Sequence, residues 1–185
     1  MDAPLWIFGY GSLMWDPGFQ AAETRLARLH GWHRSFCMWS VVYRGTAEAP
    51  GLVLALDEAT GGFCRGVALR AAEGDADEIL AAVRKRELIS EAYLERRLPV
   101  ELDDGTEVSA VSYVINRAHP QYAGRMTVAQ QAAIIARSTG ERGPNRDYLD
   151  ATVAHLDALG IADADLAALA SRVRQIGTDP DAKAL

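Results

Sequence analysis

The hydrophobic period of this chain changes along its length, and that change restricts the fold more than any other feature. Up to residue 69 the apolar residues come in short aromatic and β-branched runs broken by turn formers. These are residues 5–10 (LWIFGY), 31–43, 51–56 (GLVLAL) and 63–69, with turn-type residues at 57–62 (DEATGG) making 63–69 the expected hairpin partner of 51–56. Residues 75–88 switch to helical spacing through Ile79, Leu80, Val83 and Leu88, with Asp75 or Asp77 placed to cap the start. A second hairpin is expected over 97–116, where Asp103-Asp104-Gly105 separates LPVEL from EVSAVSYVI. Beyond Tyr122 only helical patterns remain: VAQQAAIIARS between Thr127 as N-cap and Gly140 as C′ residue, then about 145–159 closed by Gly160, then about 163–176 and a polar tail. Strands first, one helix inserted and helices last predict an α+β fold with a mainly antiparallel sheet or small barrel. No internal repeat or linker divides it, so residues 1–185 read as a single domain whose C-terminal part, from about 127, is helical.

Charge and composition narrow the function. A net charge of −6 argues against nucleic-acid and anionic-membrane partners, both of which favour basic surfaces. No window carries 18 uncharged apolar residues, and the start, MDAP, lacks the basic segment of a secretory signal. Two cysteines, Cys37 and Cys64, stand outside any CxxC motif and inside strand-like runs, which fits buried thiols in a reducing cytoplasm better than one disulfide. The four histidines form no HxxxH or HExxH spacing, which argues against a metal site. Ser12 has no GxSxG around it, so no nucleophilic serine is indicated.

Three features remain that can carry chemistry. FGYGSL, residues 8–13, sets two glycines around a tyrosine, so ligand atoms can approach main-chain N–H groups and φ can turn positive; a plain strand-end bend fits the same residues. Glu87 lies four residues past Val83 and seven past Leu80, in phase with the apolar stripe. Desolvation there would raise its pKa and suit it to general acid–base work; a buried ion pair with Arg84 or Arg86 is the other reading. Arg44, next to Gly45, can bind a carboxylate or simply face water, and Gly143, Asn145 and Tyr148 stand at a helix start where capping is the plain alternative.

Several segments together carry a resemblance: WIFGYGSLMWDPGF, HGWHRSFCMWS, YRGTAEAPGLVLALD, GGFCRGVAL, RELISEAY and GPNRDYL, in this order over about residues 5–175. They resemble the ChaC family of γ-glutamylcyclotransferases, its glutathione-acting branch. The resemblance implies a small mixed, mainly antiparallel β-barrel flanked by helices. It implies an enzyme that uses no metal and no organic cofactor, and the sequence makes no obligate protein partner evident. The implied reaction turns the γ-glutamyl group of glutathione into 5-oxoproline and releases cysteinylglycine. It places the catalytic glutamate on Glu87 and the substrate-binding positions on Ile7, Phe8, Gly9, Tyr10, Gly11, Ser12 and Leu13, with Arg44, Tyr93, Asn145 and Tyr148 at further pattern positions. Other γ-glutamyl amino acids or amines, or a non-catalytic γ-glutamyl-binding regulator, are the alternatives. Around the catalytic position this chain departs from the family by running LISEAYLE, which adds the acid Glu91.

Overall fold

The computed structural model describes residues 3–178. The polar tail expected beyond the last helix falls outside the described residues. Five strands form a closed barrel in the order β1-β3-β2-β4-β5: β1 Trp6–Gly9, β2 Glu23–Ser40, β3 Gly51–Arg70, β4 Tyr93–Leu102 and β5 Glu107–Ile115. Pairs β1–β3, β2–β4 and β4–β5 are antiparallel, whereas β1 runs parallel to β5, with Trp6 opposite Ala110 and Ile7 opposite Val111. The expected α+β class and mixed, mainly antiparallel barrel hold.

The hairpin around Gly105 forms, with Glu101 opposite Glu107, but β4 begins at Tyr93, so Tyr93 to Arg96 also pair with β5. Gly105 takes φ 83°, a conformation that glycine adopts without steric cost. The expected hairpin between 51–56 and 63–69 does not form. β3 runs unbroken from Gly51 to Arg70 and neighbours β2 in the barrel. The glycines behind the turn signal bend the strand instead. Gly61 in β3 takes φ 74° and Gly31 in β2 takes φ 81°, a left-handed conformation that β-bulges use, here within strands that continue on both sides. The bend is large: Leu56 meets Val114 of β5 in parallel sense, while Val67 to Arg70 meet β1 antiparallel. β2 likewise starts eight residues before the expected strand, with Ala27 and Leu29 alternating inward around the less buried Arg28.

Helix α1, Ala76–Glu87, buries Ile79, Leu80 and Val83 in a cluster with Leu5, Ile7, Leu13, Val111 and Tyr113. Each such side chain contributes roughly 1.5–3 kcal/mol by leaving water. Asp75 holds the N-cap position without a side-chain capping bond, and Leu88 is exposed beyond the helix end.

The described residues fall into two compact units. One takes the chain up to Ser35 with Ala55–His119; the other takes Phe36–Leu54 with the chain from Pro120. The second contains α2 Val128–Arg137, the two-residue strands β6 Thr139–Gly140 and β7 Gly143–Pro144, α3 Asn145–Ala158 and α4 Ala164–Thr178. The N-cap expected at Thr127 is a full capping box: its hydroxyl accepts from Gln130 N–H and the Gln130 side chain accepts from Thr127 N–H. Gly140 is not the C′ residue of this helix. The helix ends at Arg137, with the Ser138 hydroxyl within 2.9 Å of the Ile134 carbonyl, and Gly140 pairs with Gly143 between β6 and β7. No helix among the described residues is long and apolar enough to cross a membrane.

Candidate active site

The FGYGSL segment leaves β1 at Gly9 and enters one 3₁₀ turn, Ser12–Met14. A Cβ on Gly9 would stand 3.2 Å from Leu13 C and Met14 N, so the loop folds onto its own glycine. Neither Gly9 nor Gly11 has positive φ; the expected use of glycine for a left-handed turn gives way to its use for close approach. From β3, Gly66 supports the same bend, since a Cβ there would reach the Phe8 ring at 2.9 Å. The 3₁₀ turn bonds from Met14 N–H to Gly11 O (2.9 Å) and from Trp15 N–H to Ser12 O (3.2 Å). The N–H groups of Ser12 and Leu13 precede the first bonded donor, as leading amides of a helical turn do.

Two arginines fix this loop. Arg34, buried on β2, donates from Nη1 to the Tyr10 carbonyl at 2.7 Å and approaches Met14 Sδ at 3.9 Å. Arg86, the penultimate residue of α1, donates from Nη2 to Ser12 Oγ at 2.8 Å and from Nη1 to the Asp16 carbonyl. Its Nε lies 3.2 Å from Glu87 Oε1. One guanidinium thus ties the glycine loop to the acid at the end of the helix.

Glu87 retains 16% side-chain exposure. Burial pushes its carboxyl above the usual carboxylate range, and the Arg86 charge offsets only part of this. Both sequence readings of Glu87 are therefore present in one residue: a desolvated acid and an arginine pair. Nearby on β5, Tyr113 is buried in the α1 cluster and its hydroxyl donates to Glu95 Oε2 at 3.2 Å. Its pKa is driven up, first by burial and then by the charges of Glu95 and Glu87. Tyr93 packs against the same cluster, and Glu91 is exposed.

The remaining site positions divide sharply. Ile7 and Phe8 have no exposed surface and take part in the sheet and core, so their side chains offer nothing to a ligand. Leu13 is likewise a core residue, and Tyr10 is buried. In the second unit Asn145 is wholly buried, and both ends of its amide are engaged: Oδ1 accepts from Leu52 N–H (2.7 Å) and Nδ2 donates to Leu52 O (2.8 Å). It is a strut between α3 and β3, not an open polar group. Arg44 donates from Nη1 to the carbonyls of Arg142 (2.6 Å) and Pro144 (3.3 Å), and its guanidinium lies 5.4 Å from the Tyr148 ring centre. Tyr148 meets Phe36 edge-on at 5.8 Å. Cys37 and Cys64 are buried thiols. Among the described residues no three His, Cys, Asp or Glu side chains gather as a metal site.

Sequence reasoning did not single out Arg34 or Gly66, and it treated Arg86 only as an ion-pair partner. Arg34 carried a usable signal, a charge in phase with Phe36 on a strand, the same kind of mismatch that marked Glu87. Gly66 carried none, because its role depends on what crosses it.

Both the sequence and the fold are similar to those of known proteins. A family model described as ChaC-like protein matches residues 5–176. The chain belongs to the ChaC-like family. A glutathione-specific gamma-glutamylcyclotransferase of Escherichia coli (strain K12) is 39% identical over 175 residues, covering 95% of this chain and 75% of that protein. Gamma-glutamylcyclotransferase 2-3 of Arabidopsis thaliana is 31% identical over 178 residues, covering 93% and 89%. In fold, this ChaC-like chain matches the crystal structure of a yeast gamma-glutamyl cyclotransferase specific to glutathione with a TM-score of 0.82 at 22% identity, over 95% of this chain and 100% of that one.

Proposed function

We propose that this ChaC-like protein is a γ-glutamylcyclotransferase that converts glutathione to 5-oxoproline and cysteinylglycine, with Glu87 as general base and acid. The observation that carries the mechanism is the withdrawn Glu87 carboxylate, linked through Arg86 to the glycine loop. The relatives' activities support the substrate class.

The α-amine of a γ-glutamyl group is largely protonated at neutral pH, given a reference pKa near 8. It cannot attack until a base removes that proton. A carboxylate whose pKa burial has raised is a better base than an ordinary one, and Glu87 meets that need. The freed amine attacks the γ-carbonyl of the same molecule and closes a five-membered ring. As the tetrahedral centre collapses, its bond to the cysteine nitrogen breaks and Glu87 returns the proton to that nitrogen. Attacker and carbonyl share one molecule, so holding the reactive conformer supplies much of the acceleration. The leading N–H groups of Ser12 and Leu13 are suited to the substrate carboxylate or the developing oxyanion. Ser12 Oγ, fixed by Arg86, is a further polar contact. Tyr93 is offered as a further substrate contact, and Ile7 and Phe8 as the frame that holds the glycine loop. We place the activity in the cytoplasm, where the two buried thiols stay reduced.

The test is a panel of γ-glutamyl compounds read out as 5-oxoproline release. Glutathione is expected to give 5-oxoproline and cysteinylglycine in equal amounts. Glu87→Gln is expected to lose roughly 10²- to 10⁴-fold in kcat while keeping its fold. Turnover of other γ-glutamyl amino acids but not glutathione would redirect the substrate assignment, and an undiminished Glu87→Gln would remove the mechanism.

A further inference from the structure

Helix α1 ends in the run Arg84-Lys85-Arg86-Glu87, so two arginines lie next to the acid assigned to the chemistry. Arg84 precedes Glu87 by three residues, a spacing at which two helical side chains are neighbours. Left alone, Arg84 would pair with Glu87 as Arg86 does. It does not. Its guanidinium is taken by Glu95 of β4 through two parallel bonds, Nε to Oε2 at 2.8 Å and Nη2 to Oε1 at 2.7 Å. This fork geometry fixes the direction of the cation as well as neutralising it. Tyr113 donates to the same Glu95 oxygen, so the carboxylate is held from two sides.

We propose that Glu95 is a positioning residue for Glu87: by gripping Arg84 it keeps that cation off the acid one helical turn away. The inference rests on the reading of Glu87 as the proton carrier. The groups that bear on Glu87 are Arg86 from α1, with Ser12 and Asp16 through it, and Tyr113 from β5, while Arg84 stands three residues back on α1 in the grip of Glu95 from β4. Tyr93 packs on the cluster that carries Tyr113, Arg97 acts on Glu95, and Asp77 acts on Arg84. Arg84 holds the Glu95 carboxyl below the usual range, so Glu95 remains an anion where Glu87 is poised to change state. The division of labour is specific: one arginine ties the loop and touches Glu87, and the other is removed from it.

Glu95→Gln tests this in two independent ways. Without the anion, the Arg84 charge falls on Glu87 and favours its ionised form. A ¹³C NMR titration of the Glu87 carboxyl, which needs no turnover, is expected to move to lower pH. The acid limb of kcat/KM for 5-oxoproline release is expected to follow, so that below the native midpoint the activity relative to each plateau rises about two-fold or more. Because Arg84 is half-exposed, the effect is limited by solvent screening. The double variant Arg84→Gln/Glu95→Gln is expected to restore the native limb, which loss of a merely structural brace would not do. Should Glu95→Gln fail to fold, Glu95→Asp loosens the grip while keeping the charge and is expected to shift the limb the same way by less. An unmoved titration and limb in the folded variant overturns the proposal. Glu87→Gln separates the two readings: full activity there rejects the role of Glu87, whereas an inactive Glu87→Gln beside an unmoved Glu95→Gln limb rejects only that of Glu95.

Discussion

Two glycine-bearing loops in this protein use glycine for different purposes. At the tip between β2 and β3, Gly45, Gly51 and Gly140 allow three main-chain segments to cross. A Cβ on Gly45 would lie 2.6 Å from Pro50 C and Ser40 O, one on Gly51 2.7 Å from Asn145 Oδ1, and one on Gly140 2.6 Å from Gly45 N. Glu141 and Arg142 N–H bond the carbonyls of Val42 and Tyr43 across this junction. The glycine loop after β1 is less tightly locked. Gly9 meets its neighbours at 3.2 Å, and the segment ends in amides that precede the turn's own bonds. A glycine motif therefore marks a lock where main chain crosses main chain, and a candidate cradle where a desolvated acid is tied to the loop.

Breaking the lock is expected to have the largest effect. Gly45→Ala puts a methyl against backbone that cannot retreat and should cost about 4 kcal/mol or more, read as failure to fold or a collapsed denaturant midpoint. Gly9→Ala needs shifts of only a few tenths of an ångström and is expected to leave a folded protein with impaired turnover. Equal losses of stability would erase the contrast. Next comes Asn145→Ala, which strands the N–H and carbonyl of fully buried Leu52 and should cost about 2–4 kcal/mol. An unchanged midpoint would show that Asn145 is not the strut described here.

The smallest effect has the opposite sign. Glu87 has its pKa raised on folding, so the folded state prefers its protonated form. Its contribution to stability is full below the ordinary value of 4.5 and is lost as pH rises through the folded-state value. Glu87→Gln is therefore expected to match or slightly exceed native stability at pH 7, with the gain vanishing below about pH 4. A variant less stable than the native protein at pH 7 would mean that the Arg86 pair outweighs desolvation.

The sequence revealed what is local or periodic. The Gly105 hairpin, the Thr127 cap and the apolar phase of Glu87 follow from spacing alone, and each appears in the structure. It concealed what depends on a partner far along the chain. Turn formers at 57–62 look alike whether a strand reverses or bends; only pairing of β3 with its neighbours decides, and Gly61 bends. Asn145 looks like a helix cap or ligand contact until Leu52 takes both ends of its amide. Of the candidate site, Glu87 was legible as a charge in apolar phase, whereas the bonds of Arg86 to Ser12 and Asp16 depend on a loop seventy residues earlier.

The parallel pairing of β1 with β5 has a consequence for the order in which the molecule assembles. Trp6 and Ile7 find Ala110 and Val111 only after most of the barrel has been synthesised. Closing a contact over so long a stretch is slow, because chain entropy is lost before the contact rewards it. The glycine loop that β1 delivers, which lies well before its β5 partners in the chain, is thus among the last to take its final form. A nascent chain has no settled glycine loop until its barrel is closed.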